Sequence, residues 1–221
     1  MRLLLVVSLM LFSSFSQAST IKLNYSVFFS YMKTMYKLDY PYVTTAFYLI
    51  DKGDQSLCHI NNAEIVVENV NEPILFQPEG RLLPFYSDQH RQDGAVLVVD
   101  LDDGKTLSSC NLQITVMAKE RELANLNEQK LVAIAEQLEG VLKKNAGMIG
   151  KYFLPEFAGV RLTPTSPLTE SQLKALGNQV SMASNGDLLL KKNAFIIINK
   201  INELNLLLKR ITPWMVNNNP S

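Results

Sequence analysis

Residues 110–116 read Cys-Asn-Leu-Gln-Ile-Thr-Val, so apolar and polar side chains alternate along this segment. A period of two is typical of a β-strand with one buried face. That face would carry Cys110, Leu112, Ile114 and Val116. Comparable strand-like segments precede it, with turn residues between them, at residues 44–50, 58–70 and 95–101. Strands at this spacing predict an antiparallel, immunoglobulin-like β-sandwich in the first half of the chain.

Two helices are expected around these strands. Ser26 is a capping residue type, and the apolar spacing after it predicts a short helix that ends near Lys37. Beyond Lys119 the apolar positions recur at helical spacing, so Asn127 is expected to cap a longer helix that stops near Gly147.

The last part of the chain gives weaker signals. Thr169 is expected to cap a short helix, and Asn185-Gly186 is a hairpin-type dipeptide. Short apolar runs predict strands at residues 160–163, 188–190 and 195–198. The fold class is therefore expected to be α+β, with a smaller mixed α/β region after the sandwich. The division that follows is a leader at 1–18, a β-sandwich-like domain at 19–119 and a helix with a small β-rich region at 120–221.

The N-terminus has the layout of a secretory signal peptide. Arg2 supplies a positive start, an apolar run covers residues 3–15, and small residues precede a cut between Ala18 and Ser19. The apolar run is too short to span a bilayer, and no later run is longer. The sequence therefore predicts a protein exported to the periplasm of a Gram-negative bacterium, with no transmembrane segment after the leader.

Cys58 and Cys110 are the two cysteines of the chain. Export would place them in an oxidising compartment, and each begins a strand-like run with its thiol on the apolar side. We expect a structural disulfide between them, and the alternative is a pair of separate buried thiols.

The amino-acid composition argues against several classes of partner and cofactor. The chain has 21 basic and 21 acidic residues, so there is no overall charge excess to attract nucleic acid or another polyanion. Two cysteines and two histidines are too few for a typical zinc module, and no glycine-rich phosphate loop occurs. We expect no metal and no cofactor.

The residues that resemble catalytic sets have simpler explanations. Residues 87–90 contain Ser, Asp and His, but they are crowded into one loop, whereas a triad needs separate elements. Glu136 and Glu139 have the spacing of an exposed helix face. Residues 100–104 resemble a calcium loop only faintly, and turn chemistry explains them equally well. No catalytic residue is assigned.

Aromatic residues are concentrated between positions 25 and 48. Tyrosine combines an apolar ring with a polar tip and is common at interfaces and sugar-binding platforms. The candidate binding surface consists of Tyr31, Tyr36, Tyr40 and Tyr42.

Several motifs resemble a known family. They are Tyr-Pro-Tyr-Val at 40–43, Ala-Phe-Tyr-Leu-Ile-Asp at 46–51, the Cys58-to-Cys110 spacing, Leu-Leu-Pro at 82–84 and Ile-Thr-Pro-Trp at 211–214. Together they are similar to a family of exported gammaproteobacterial proteins grouped as domain of unknown function 2987, over about Ile21 to Trp214. The resemblance implies a periplasmic location and brings no activity or ligand with it.

These observations favour a non-enzymatic, soluble periplasmic protein that binds an envelope protein or a glycan. Two alternatives stay open: a hydrolase of envelope polysaccharide or peptidoglycan, and a chaperone-like protein of two domains.

Overall fold

The structure is a computed structural model that describes residues 19–77, 80–101 and 109–217. In these ranges the chain forms three four-stranded antiparallel sheets and five α-helices. The predicted leader at 1–18 and the turn at 102–104 lie outside the described residues. None of the described helices is both long and apolar enough to cross a membrane.

The first sheet has the strand order β1-β7-β3-β4. Its strands are β1 (Ser19–Asn24), β3 (Ile60–Val67), β4 (Val70–Pro73) and β7 (Val96–Leu101). Strand β7 pairs with both β1 and β3, so both edges of this apolar strand are hydrogen-bonded. The register of β3 shifts between Ile60 and Asn62, because Asn61 forms a bulge there.

The second sheet has the strand order β5-β6-β2-β8. Its strands are β2 (Val43–Asp51), β5 (Leu75–Gln77), β6 (Arg81–Leu83) and β8 (Cys110–Ala118). Strands β2 and β8 pair along their whole length, from Val43 opposite Ala118 to Asp51 opposite Cys110. The alternating residues 110–116 therefore lie in β8, an edge strand of this sheet.

The first two sheets share one hydrophobic core, into which helix α1 (Tyr25–Leu38) inserts buried aromatic side chains. Phe28 of α1 packs on Phe47 of β2 with ring centroids 4.9 Å apart. The predicted cap at Ser26 is wrong. Asn24 holds an extended backbone at the end of β1, and its side-chain oxygen accepts the Ser26 N–H at 2.8 Å, so the helix begins at Tyr25.

The predicted disulfide between Cys58 and Cys110 is present, with a Cα–Cα distance of 6.6 Å. Cys110 opens β8, but Cys58 lies in the loop before β3 rather than in a strand, and its N–H donates to Leu49 O at 2.8 Å. The disulfide therefore links the loop before β3 of the first sheet to β8, an edge strand of the second sheet.

Helix α3 (Glu128–Gly150) organises the second half of the chain. Its cap is Asn127, as expected, and the cap side chain accepts the Lys130 N–H at 2.8 Å. Gly147 has φ 74° and ψ −171°, so the regular helical geometry is interrupted at the residue where the sequence predicted the helix to stop. A last helical turn follows and ends at Gly150.

The third sheet has the strand order β10-β11-β9-β12. Its strands are β9 (Glu156–Pro164), β10 (Ser181–Met182), β11 (Leu188–Lys191) and β12 (Leu208–Val216). Thr169 caps helix α4 (Glu170–Leu176) through a capping box with Gln172, as its sequence predicts.

The strand expected at residues 195–198 is wrong. Residues 192–197 form 3₁₀ turns that lead into helix α5 (Ile198–Glu203). Phe195, Ile198 and Ile201 are buried at a spacing of three, which suits a helical turn. A short apolar run does not distinguish a buried helical turn from a strand.

The predicted halves share core residues across the division at 119/120. Val43, Val116 and Ala118 of the second sheet belong to the same buried cluster as Leu131 and Ile134 of α3. Helix α3 therefore packs on both the second and third sheets, and the division stays a prediction.

We expect the double variant Cys58→Ser, Cys110→Ser to be less stable than the oxidised protein. The bond closes a separation of 52 residues, and its loss costs up to about 4 kcal/mol and lowers Tm by about 10 °C. Thermal melts followed by circular dichroism test this. Reductant should lower the Tm of the wild type to that of the variant and should leave the Tm of the variant unchanged. Equal Tm values for the oxidised wild type and the variant would contradict the expectation that the disulfide stabilises the protein by constraining its unfolded chain.

Candidate functional site

The buried phenol of Tyr25 connects α1 to the segment that leads into helix α2 (Asp88–Gln92). Its hydroxyl donates to Phe85 O at 2.8 Å and accepts the Ser87 N–H at 2.8 Å. Burial raises the pKa of this phenol above its usual value, so it stays a neutral donor. The two bonds hold residues 85–87 against α1.

Three aromatic rings form a ladder along α1 because of this attachment. The ring of Tyr86 stacks on Phe29 at 5.0 Å and 17°, and on Tyr36 at 5.2 Å and 6°. Tyr36 forms the outer rung and is 73% exposed. Partial burial and the Asp88 carboxylate raise the pKa of the Tyr86 phenol, so this middle ring is uncharged at neutral pH.

An open groove of about 540 Å³ lies beside Phe29 of this ladder, which we call the basic groove. Its lining residues come from α1, α2 and α3, and they are Ser26, Phe29, Ser30, Lys33, Thr34, Lys37, Arg91 and Lys144. Arg91 and Lys33 approach the Phe29 ring at 5.0 and 5.4 Å. Among the described residues that line it, four are cations and none is a carboxylate.

The hydroxyl groups of the basic groove act as acceptors toward solvent. Ser30 donates its proton to Ser26 O at 3.0 Å, and Thr34 donates to Ser30 O at 3.3 Å. Their oxygen lone pairs remain to accept from a ligand. The groove thus offers cations for phosphate, carboxylate or sulfate and acceptors for sugar hydroxyls, while the Phe29 ring beside the cations is buried.

The structure does not bring the four candidate tyrosines into one surface. Tyr36 forms the outer rung of the ladder, and Tyr31 sets its ring edge against Phe47 at 6.4 Å. Tyr40 and Tyr42 pack against the core cluster that contains α3. The Tyr42 N–H donates to Gln137 Oε1 at 3.0 Å, which fixes this segment to the helix.

A larger cleft of about 750 Å³ separates the edges of β8 and β12 beside α3. One of its two arginines has a carboxylate partner. Arg161 lies 3.5 Å from the buried Asp187, which also accepts from Asn185 Nδ2 at 3.0 Å. Among the described residues Arg210 has no carboxylate partner: its guanidinium lies 5.8 Å from the centre of the Tyr48 ring, and its buried Nε donates no hydrogen bond. This cleft therefore presents one arginine without a carboxylate partner, whereas the lining of the basic groove has four cations and no carboxylate.

The residues of catalytic type in the segment 87–90 form a helix cap. Ser87 Oγ accepts the His90 N–H at 3.1 Å and begins α2, while His90 Nε2 lies 3.2 Å from Glu72. Asp100 accepts from Thr20 Oγ1 at 2.9 Å, and residues 102–104 of the calcium-like stretch lie outside the described residues. Within the described ranges, no group of three or more His, Cys, Asp or Glu side chains could hold a metal.

The carboxylate of Glu139 has a structural role. It pairs with Lys143 of its own helix at 2.7 Å and with Lys192 at 2.8 Å, so it anchors α3 to the 3₁₀ segment. Burial opposes its ionisation, but the hydrogen bonds from both lysines outweigh this and hold its pKa below the usual value.

Sequence reasoning did not identify the residues of the basic groove. Lys33 and Lys37 are four residues apart on α1, beside Phe29, and this spacing was an available signal. Arg91 and Lys144 lie on other helices, so only the tertiary structure brings them to α1.

The family model described as "Protein of unknown function (DUF2987)" matches residues 17–163. The chain belongs to this family. The DUF2987 match includes α1, α2 and α3, and hence every residue of the basic groove, whereas the Ile-Thr-Pro-Trp motif at 211–214 lies beyond it. No curated protein and no solved structure matches the chain.

We expect Glu139→Gln to lower the free energy of unfolding by about 1 kcal/mol at neutral pH, because both lysine pairs are lost. The folded-state pKa is depressed, so the pairs stabilise the protein above pH 4.5, the ordinary value, and this stability disappears as pH falls through the lower folded-state pKa. Urea unfolding at several pH values should show the difference vanishing in acid. Glu136→Gln, an exposed neighbour, is the matched control and should change little at any pH.

Proposed function

We propose that this DUF2987 protein is a non-enzymatic periplasmic protein that binds an anionic component of the cell envelope in the basic groove. The observation that carries the proposal is the convergence of Lys33, Lys37, Arg91 and Lys144 from three helices beside stacked aromatic rings. Cations placed together without a carboxylate among them raise the local potential and attract an anion.

Two features support the periplasmic location. The first is the signal-peptide layout of residues 1–18. The second is the disulfide between Cys58 and Cys110, because such bonds persist in oxidising compartments. Both fit an exported protein that meets its ligand outside the cytoplasm.

The proposed ligand is a glycan that carries phosphate or carboxylate groups. The lysines would hold the acidic groups, and Ser30 and Thr34 would accept from sugar hydroxyls. The exposed ring of Tyr36 would extend the contact along the sugar.

The hydrolase and chaperone alternatives have less support. The Ser87 hydroxyl caps α2 and Glu139 is held by two lysines, so neither is presented to a substrate. A chaperone of two sandwiches would need a second pair of sheets, whereas the described strands of the second half form one sheet packed on α3. An immunoglobulin-like relationship of the first two sheets stays a prediction.

We expect the protein to bind dextran sulfate and not neutral dextran, with an affinity that falls as salt rises. The triple variant Lys33→Gln, Lys37→Gln, Lys144→Gln should bind dextran sulfate at least about tenfold more weakly, since each exposed ion pair contributes up to about 1 kcal/mol. Isothermal titration calorimetry measures both effects.

The matched control is Lys22→Gln, Lys174→Gln, Lys209→Gln, which removes the same charge from exposed positions outside the basic groove. This control should keep most of the affinity. An equal loss in both triple variants would show that overall charge, and not the groove, binds the polyanion.

A further inference from the structure

Four large apolar side chains are concentrated at the end of α3. Met148, Ile149, Tyr152 and Phe153 are 82%, 75%, 78% and 81% exposed. We call residues 148–153 the apolar tip. A cluster of exposed apolar side chains this dense is uncommon on a protein that acts alone in water and marks a surface for a partner or a membrane.

The backbone of the apolar tip is ordered by hydrogen bonds. After the break at Gly147, Tyr152 N–H donates to Ile149 O at 3.2 Å and Phe153 N–H donates to Gly150 O at 3.0 Å. Leu154 then returns to line the cleft beside β12. The tip is therefore a compact turn, and its internal backbone bonds lower the cost of leaving water.

The charged residues within the apolar tip and just before it in sequence are lysines. Residues 143–153 contain Lys143, Lys144 and Lys151 and no acidic residue, but Lys143 pairs with Glu139 at 2.7 Å, so Lys144 and Lys151 supply the positive charge beside the tip. Lys144 lines the basic groove and lies four residues before Met148, so the tip begins within about 15 Å of that groove. An apolar turn with a border of lysines is complementary to an anionic bilayer, whose headgroups pair with the lysines while its interior accepts the apolar groups.

We propose that the apolar tip inserts into the interfacial layer of an anionic lipid bilayer and attaches the protein to that surface reversibly. Tyrosine and phenylalanine are favoured at this depth, and one inserted turn gives weak, reversible binding rather than permanent anchoring. The inference goes beyond the proposed function, because it does not require a ligand in the basic groove.

A second copy of the chain is a poorer occupant of the same surface. A two-fold contact through the apolar tip would bring the lysines of one tip toward those of the other. Like charges at a contact oppose association, whereas anionic headgroups would favour it.

The test is sedimentation of the full chain with vesicles of phosphatidylglycerol and phosphatidylethanolamine in equal amounts, compared with phosphatidylcholine vesicles. We expect binding to the anionic vesicles, and a partition coefficient at least about tenfold lower for Met148→Ser, Ile149→Ser, Tyr152→Ser, Phe153→Ser. The control variant Val70→Ser, Leu75→Ser, Leu207→Ser removes equally exposed apolar side chains elsewhere and should bind like the wild type.

A second measurement does not depend on the multiple variant folding. The variant Phe153→Trp should shift its emission to the blue when anionic vesicles are added, and brominated lipid should quench it. The wild type, with Trp214 as its single tryptophan, should show neither change.

Three results would overturn the proposal: no binding of the wild type to anionic vesicles, equal binding of the tip and control variants, or a dimer that the tip variant converts to a monomer. Dextran sulfate separates this outcome from the proposed function. The tip variant should keep its affinity for that polyanion, so loss of vesicle binding alone concerns the tip and loss of polyanion binding alone concerns the groove.

Discussion

The candidate surface depends on two hydrogen bonds made by the hydroxyl group of Tyr25. This hydroxyl bonds to the backbone at Phe85 and Ser87, and this attachment places Tyr86 between Phe29 and Tyr36. Both hydrogen bonds are part-buried, so loss of the Tyr25 hydroxyl would cost about 0.5–1.5 kcal/mol per bond. A single phenol therefore connects the core between the first two sheets to the aromatic ladder and the basic groove.

Charge composition and charge placement lead to different expectations for this protein. The chain has 21 basic and 21 acidic residues, and this overall neutrality argues against an anionic partner. The fold nevertheless brings four cations from three helices into one groove, and Lys144 and Lys151 lie beside the apolar tip. Glu139 neutralises Lys143 and Lys192, which lie outside the groove. A neutral total is thus compatible with a strongly basic surface.

Local patterns predicted the elements whose signals are local. The alternation of residues 110–116 and the cap at Asn127 correspond to β8 and α3, and the two cysteines meet as expected. The run at 195–198 was misassigned because a short apolar segment fits either a strand or a buried helical turn. The basic groove could not be predicted, because the packing of Arg91 and Lys144 against α1 depends on tertiary contacts.

The most direct test of the central claim is lysine footprinting with an acetylating reagent, read by mass spectrometry, on the protein with and without dextran sulfate. Binding in the basic groove should protect Lys33, Lys37 and Lys144 while Lys22, Lys174 and Lys209 keep their reactivity. Uniform protection of all six lysines, or protection confined to the second set, would contradict the assignment of the groove as the binding site.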